Sequence, residues 1–134
     1  MFDRNKVVPI APEEKHLWEI LVPKKDNHGV RFTKEHHQYV YASLRNFSGG
    51  LTRFPAVHGE SEYEHQPYVE MLIPVRFTAT VFEAKRIARF ARQHYRQIEI
   101  MLTLIARSGE FFFVGEEEQD EAEPIEEKAL AATN

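Results

Sequence analysis

The run Tyr68-Val-Glu-Met-Leu-Ile-Pro-Val-Arg-Phe-Thr-Ala-Thr-Val-Phe-Glu83 decides the fold. Its first ten residues alternate. Val69, Met71, Ile73, Val75 and Phe77 take one parity, and Glu70, Leu72, Pro74 and Arg76 the other. A period of two with one strongly apolar face predicts a strand over Tyr68–Phe77. Pro74 cannot donate to a sheet ladder, so a bulge or break is expected there. The last four residues, Thr80-Val-Phe-Glu83, form a capping-box pattern, in which threonine and glutamate satisfy each other's free backbone N–H groups. A helix should follow to about Arg96, burying Ala84, Ile87, Ala88, Ala91 and Tyr95.

The flanking sequence repeats this grammar. Leu17–Val22 is a strand candidate, stopped at Pro23, followed by a polar loop over Lys24–Gly29. Thr33 suits an N-cap because its hydroxyl can accept a backbone N–H of the first turn. The helix it opens should span Lys34–Phe47, with Val40, Leu44 and Phe47 as its buried stripe. Gly49-Gly50 ends it, since glycine accepts the left-handed turn a helix stop needs. Leu51–His58 reads as a second strand kinked at Pro55, and Gly59–Pro67 as a polar hairpin. Ile98–Ile105 supplies a fourth strand, and Phe111–Val114 is expected as a short edge. The order strand–helix–strand–strand–helix–strand predicts an α+β fold, a ferredoxin-like βαββαβ sandwich. Its antiparallel sheet should have strand order 4-1-3-2 with both helices on one face. The other face is then free to stay wet or to pair with another copy.

The 134 residues suit one domain with a sufficient core. The expected organisation is a flexible arm over 1–15, the α+β domain over 16–114 and a disordered acidic tail over 115–134. Net charge follows this division. The last segment holds eight acidic residues and one lysine, while the remainder holds 16 Lys+Arg against 13 Asp+Glu and all seven histidines. The absence of cysteine excludes disulfides, thiolate metal sites and cysteine nucleophiles, and it fits a reducing compartment. No stretch approaches the ~20 apolar residues of a membrane helix. The N-terminal segment lacks the apolar core of a signal peptide. A cytoplasmic location and no membrane partner are therefore expected.

Four groups of residues could carry chemistry. His58, Glu60, Glu62 and Glu64 share one parity, with His65 nearby. Their spacing matches no standard zinc motif, so a solvated hairpin tip is expected, with no metal and no cofactor. His36 and His37 open the first helix, but adjacent helical positions point about 100° apart and make poor joint ligands. On the open sheet face, alternation groups Glu19, Glu70 and Arg76 with Leu17, Leu21 and Leu72. If Glu19 and Glu70 meet, one carboxyl pKa should rise, which would suit acid–base work. The plainer expectation is a cross-strand salt-bridge network inside a dimer interface. The second helix carries Lys85, Arg89, Arg92 and Arg96 at i, i+4, i+7 and i+11, a one-sided basic stripe able to meet phosphates. There is no phosphate-binding glycine loop, no G-x-S-x-G elbow and no aromatic RNA-stacking pattern.

Four runs resemble a group of small phage and bacterial proteins with ferredoxin-like strand–helix order. They are Trp18-Glu-Ile-Leu-Val-Pro23, Gly49-Gly-Leu-Thr52, Glu70-Met-Leu-Ile-Pro-Val75 and His94-Tyr-Arg-Gln97. The group has tryptophan at the position of Ser61, so the packing of this hairpin departs from its pattern. The resemblance implies the fold and no activity, and it implies at most a phage or mobile-element accessory role in countering host signalling.

Together these observations predict a non-enzymatic homodimeric module for an anionic small ligand or a protein partner. Glu19, Glu70, Arg76, Lys85, Arg89, Arg92 and Arg96 are its candidate contacts. The alternative is a small enzyme of the dimeric α+β barrel type using His36 or His37, Glu70 and Arg76. Non-specific nucleic-acid binding through the stripe ranks third, because a body charge of +3 is small and a tail of −7 competes for the same groups. Truncation after Val114 should leave the thermal midpoint within a few degrees, measured by circular dichroism, since the tail brings almost no apolar burial.

Overall fold

A computed structural model describes residues 13–116. The expected arm, apart from its last three residues, and the acidic tail beyond Glu116 lie outside the described residues. Chain order is β1 (His16–Pro23), α1 (Lys34–Ser48), β2 (Thr52–Arg53), β3 (Val57–Tyr63), β4 (Gln66–Ala79), α2 (Val81–His94) and β5 (Leu102–Ala106). All pairings are antiparallel. β4 and β1 are the central strands, β5 flanks β1, and β2 and β3 both flank β4. With β2 and β3 counted as one broken strand, this is the order 4-1-3-2 of a ferredoxin-like α+β sandwich. No helix among the described residues is long and apolar enough to cross a membrane.

The core forms where the helix-facing parity of the central strands meets the stripes of both helices. Trp18 lies opposite Phe77, and Ile20 opposite Val75. These four are buried together with Val22, Ala79, Val40, Tyr41, Leu44, Ala84, Ile87, Ala91 and Tyr95. Trp18 also donates its indole N–H to the Ala79 carbonyl at 2.9 Å, so the largest core side chain leaves no polar group unpaired. His16, one step before the expected strand, is buried too, and its Nδ1 accepts the Ser108 N–H at 2.8 Å.

Both helix starts form as the sequence predicts. The Thr33 hydroxyl accepts from the His36 N–H. The Thr80 hydroxyl accepts from the Glu83 N–H at 3.1 Å, while the Glu83 carboxylate accepts from the Thr80 N–H at 2.9 Å. Gly49, at φ 78°, closes α1.

Three elements differ from expectation. The second strand is broken, and its outer piece runs on through the predicted hairpin to Tyr63. The turn is only Glu64-His65, both with positive φ (50° and 64°). That is the backbone which matches strand twist in a two-residue hairpin. Pro74 does not break its own strand. Phe54 donates to the Pro74 carbonyl at 2.9 Å, so the missing Pro74 N–H faces the neighbouring strand where that strand is interrupted. The proline displaces the break onto its partner. Finally, β5 begins at Leu102 rather than Ile98, and Phe111–Val114 forms no strand. Arg96, at φ 53°, turns the chain after α2, and residues 97–101 loop across the end of the sheet.

Thr80→Ala removes one half of a reciprocal cap. It should cost about 1 kcal/mol, read as a fall of about 4–8 °C in thermal midpoint by calorimetry, with the native spectrum retained below the transition.

Candidate functional site

The ribbon of β3 and β4, the end of β1 and the loop before β5 surround a cavity of about 450 Å³ on the helix-free face. Strand alternation supplies its floor, since Leu21 of β1 and Leu72 and Glu70 of β4 all point away from the helices. Its wall comes from the loop, through Glu99, Ile100 and Met101. That loop is pinned at both ends. Gln97 N–H bonds to the Arg92 carbonyl at 2.9 Å, and Leu21 N–H to the Met101 carbonyl at 3.1 Å.

Gly59 makes the room. It pairs with Glu70 in the ladder, and a Cβ on it would lie 3.0 Å from Leu72 Cδ1 and 3.5 Å from Glu70 Cγ. Any larger residue would intrude on the space beside the carboxyl. Glu70 is half-buried there, and burial, followed by repulsion from Glu99, pushes its pKa above the usual carboxylate value. Glu60, the next residue of β3, lies opposite Val69, so its carboxylate belongs to the other face, beside His58. A concave, largely apolar pocket with a displaced carboxyl is the common signature of a ligand or reaction site.

The structure separates Glu19 from Glu70. Glu19 lies directly opposite Arg76 and accepts from its Nε at 3.2 Å. Glu70 stands six residues before Arg76 on the same strand, about 20 Å at the usual strand rise. Alternation places these residues on one face but says nothing of register. The carboxylate that raises Glu70 is Glu99, on a segment that reads from sequence as strand. Arg76 is committed to Glu19, and its guanidinium carbon lies 4.9 Å from the Phe54 ring centroid.

His36 and His37 lie on the helix side of the sheet, so within one copy they do not join Glu70 and Arg76. They belong to an aromatic cluster binding α1 to α2. His36 Nε2 donates to the His94 carbonyl at 2.8 Å, and His94 Nε2 donates to the His36 carbonyl at 2.6 Å. Their rings stack at 3.7 Å, with Phe32 and Phe90 stacked on the outer sides. His37 Nδ1 meets the Tyr95 hydroxyl at 2.6 Å. Burial, then the neighbouring His36, His94 and Arg53, lower the His37 pKa, while burial raises that of Tyr95. His94 gives no signal in the sequence because its role depends on a partner 58 residues away.

Lys85, Arg89 and Arg92 are exposed on α2, and Arg96 is exposed just beyond it. His58 and Glu60 approach to 3.8 Å and His65 and Glu62 to 3.6 Å, both on the open surface. Among the described residues no three His, Asp or Glu side chains converge to hold a metal ion.

No family model matches the sequence, and no curated protein matches it. Solved structures do match. The fold is that of the CutA1 proteins. The divalent cation tolerance protein CutA1 of Thermus thermophilus is similar at 12% identity, with 79% of this chain and 92% of that one covered and a TM-score of 0.50. CutA1 of the psychrotrophic bacterium Shewanella gives 12%, 81%, 92% and 0.52. A phage SAM lyase in complex with S-methyl-5'-thioadenosine gives 10% identity, 76% and 88% coverage and a TM-score of 0.55. At such identities the likeness is one of fold.

Glu70→Gln should stabilise the protein slightly at neutral pH. A carboxyl with a raised native pKa binds its proton more tightly folded than unfolded. Its contribution is most favourable at acid pH and is lost as pH rises from the unfolded value, near 4.5, through the raised native one. The variant should gain about 1–2 °C in thermal midpoint at pH 7 and show a flatter stability profile above pH 4.5 than the parent.

Proposed function

We propose that the protein is a self-associating small-molecule site. Its Glu70 pocket takes a ligand bearing a small organic cation, with a sulfonium as the best fit, and a second copy on the open face completes the enclosure. The observation that carries this reading is the Glu70 carboxyl, raised by burial and set with Glu99 among the apolar walls Leu21, Leu72, Ile100 and Met101. A sulfonium is a diffuse cation with apolar substituents, so it loses little hydration on entering such a pocket and gains nearby negative charge. The anionic ligand expected from the sequence would meet two carboxylates here, Glu70 and Glu99.

Self-association is supported by what surrounds the mouth. Val57, Ile98 and Met101 are exposed beside it, and Leu17, Leu21 and Leu72 are only half-covered on the same face. A clustered apolar surface of this kind fits an interface better than a monomer's exterior. The phage SAM lyase supports the ligand class, because S-adenosylmethionine is a sulfonium. In a lyase elimination the C–S bond breaks with its electron pair going to sulfur, leaving neutral S-methyl-5'-thioadenosine, while the adjacent C–H bond breaks and its electron pair forms a new C=C bond in the departing fragment. Glu70 would take the proton of that C–H bond. A binding module without turnover is the second reading, favoured by the absence of any further acid–base group among the described residues lining the pocket beyond its carboxylates.

Calorimetric titration with S-adenosylmethionine should show binding that Glu70→Gln weakens at least tenfold and Gly59→Val abolishes, with both variants folded. Light scattering should give a multiple of 15.7 kDa at micromolar concentration. Chromatographic appearance of S-methyl-5'-thioadenosine selects the lyase, and binding without it selects the module. No binding, or a monomer across the whole concentration range, would overturn the proposal.

A further inference from the structure

A second cleft, of about 460 Å³, lies on the other side of the molecule, where the start of α1 meets the broken edge of the sheet. Lys24, Lys34 and Arg53 line it, and no aspartate or glutamate does. Among the described residues none of these three cations forms an ion pair. Their convergence is a product of the fold. Lys24 directly follows β1, and its N–H bonds to the Met71 carbonyl at 2.9 Å. Lys34 is the first residue of α1, whose backbone dipoles add positive potential at that end. Arg53 closes β2, on the helix-facing parity opposite Val75, just before the interruption that Pro74 imposes.

The remaining lining is flat and apolar. Tyr41 is buried, and the Arg53 guanidinium carbon stands 5.0 Å from its ring centroid. Pro55 also lines the cleft, while the Phe54 ring turns to the other face against Arg76. His37 completes the wall. Burial, then the charge of His36, His94 and Arg53, lower its pKa. Burial raises the Tyr41 pKa, and the Arg53 charge offsets part of that rise. Two wall residues from different helical turns thus register the same cationic field.

We infer that this cleft is a binding site for a small phosphorylated ligand with a planar ring, of the nucleoside monophosphate class. Three uncompensated cations around one concavity fit a phosphate, with Arg53 able to bind two of its oxygens in its planar fork. The size falls within the range of small-ligand pockets, and Tyr41 and Pro55 in the lining supply surface for a ring. The site is separate from the Glu70 pocket and opposite to it in charge, so the two would select ligands independently.

The test uses the full chain and three probes, AMP, adenosine and inorganic phosphate, titrated by calorimetry at about 50 and about 150 mM salt, a range over which charge screening changes. AMP should bind, adenosine should bind at least tenfold more weakly, and phosphate should compete with AMP. Arg53→Gln and Lys34→Gln should each weaken AMP binding about tenfold. Both positions are exposed, so melting curves should be close to the parent's. Glu70→Gln should leave AMP binding unchanged, which separates this site from the other. Equal affinity for AMP and adenosine, loss of AMP binding in Glu70→Gln, or no AMP binding at millimolar concentration would each overturn the inference.

Discussion

Everything in this molecule hangs on the pairing of β1 with β4. The two strands run antiparallel through eight paired positions, from His16 opposite Ala79 to Pro23 opposite Leu72. Because strand side chains alternate, this single register assigns every residue of both strands to one face. Trp18, Ile20, Val22, Val75 and Phe77 go under the helices. Glu19, Leu21, Leu72 and Arg76 go to the open side. A slip of β1 by one residue against β4 would send Glu19 into the core and Trp18 into water. Burial of the large apolar side chains, worth about 1.5–3 kcal/mol each, holds the register against that slip.

The helices add a second constraint at one end of the sandwich. The α1–α2 contact is closed by two histidines that each donate to the other's backbone carbonyl. The His94 carbonyl is one that the end of α2 leaves without a helical partner. The pair therefore caps a helix and joins two helices with the same bonds. This arrangement also places His37 against Tyr95 and in the wall of the cationic cleft, so packing on the helix side shapes a site at the sheet edge.

The fold is legible because its signals are local. Period-two alternation over Tyr68–Phe77, the Thr80–Glu83 box and the Gly49 stop each act within a few residues, and each formed. The hairpin departs from expectation for a local reason as well. A two-residue turn of positive φ normally announces itself with Asn-Gly or Asp-Gly, whereas Glu64-His65 carries no such mark. The candidate site is legible only in part. Alternation puts Glu70 on the open face, but its partner Glu99 lies on a loop that apolar composition disguises as strand. The cationic cleft is invisible, since Lys24, Lys34 and Arg53 come from three elements and share no spacing. The histidine pair is a long-range contact for the same reason.

β3 is an edge. On one side it bonds to β4, and on the other its backbone groups face outward, ready to template any extended chain. Its sequence, Val57-His-Gly-Glu-Ser-Glu-Tyr63, is poor material for such growth. Two copies meeting edge to edge about Glu60 would set carboxylate against carboxylate, and like charges directly opposite repel. Gly59 adds flexibility that an ordered fibril would have to remove. Gly59, which opens the Glu70 pocket, and its neighbour Glu60 therefore also guard the strand against runaway aggregation. A substitution that neutralised Glu60 and filled Gly59 would close the pocket and leave the edge open to pairing.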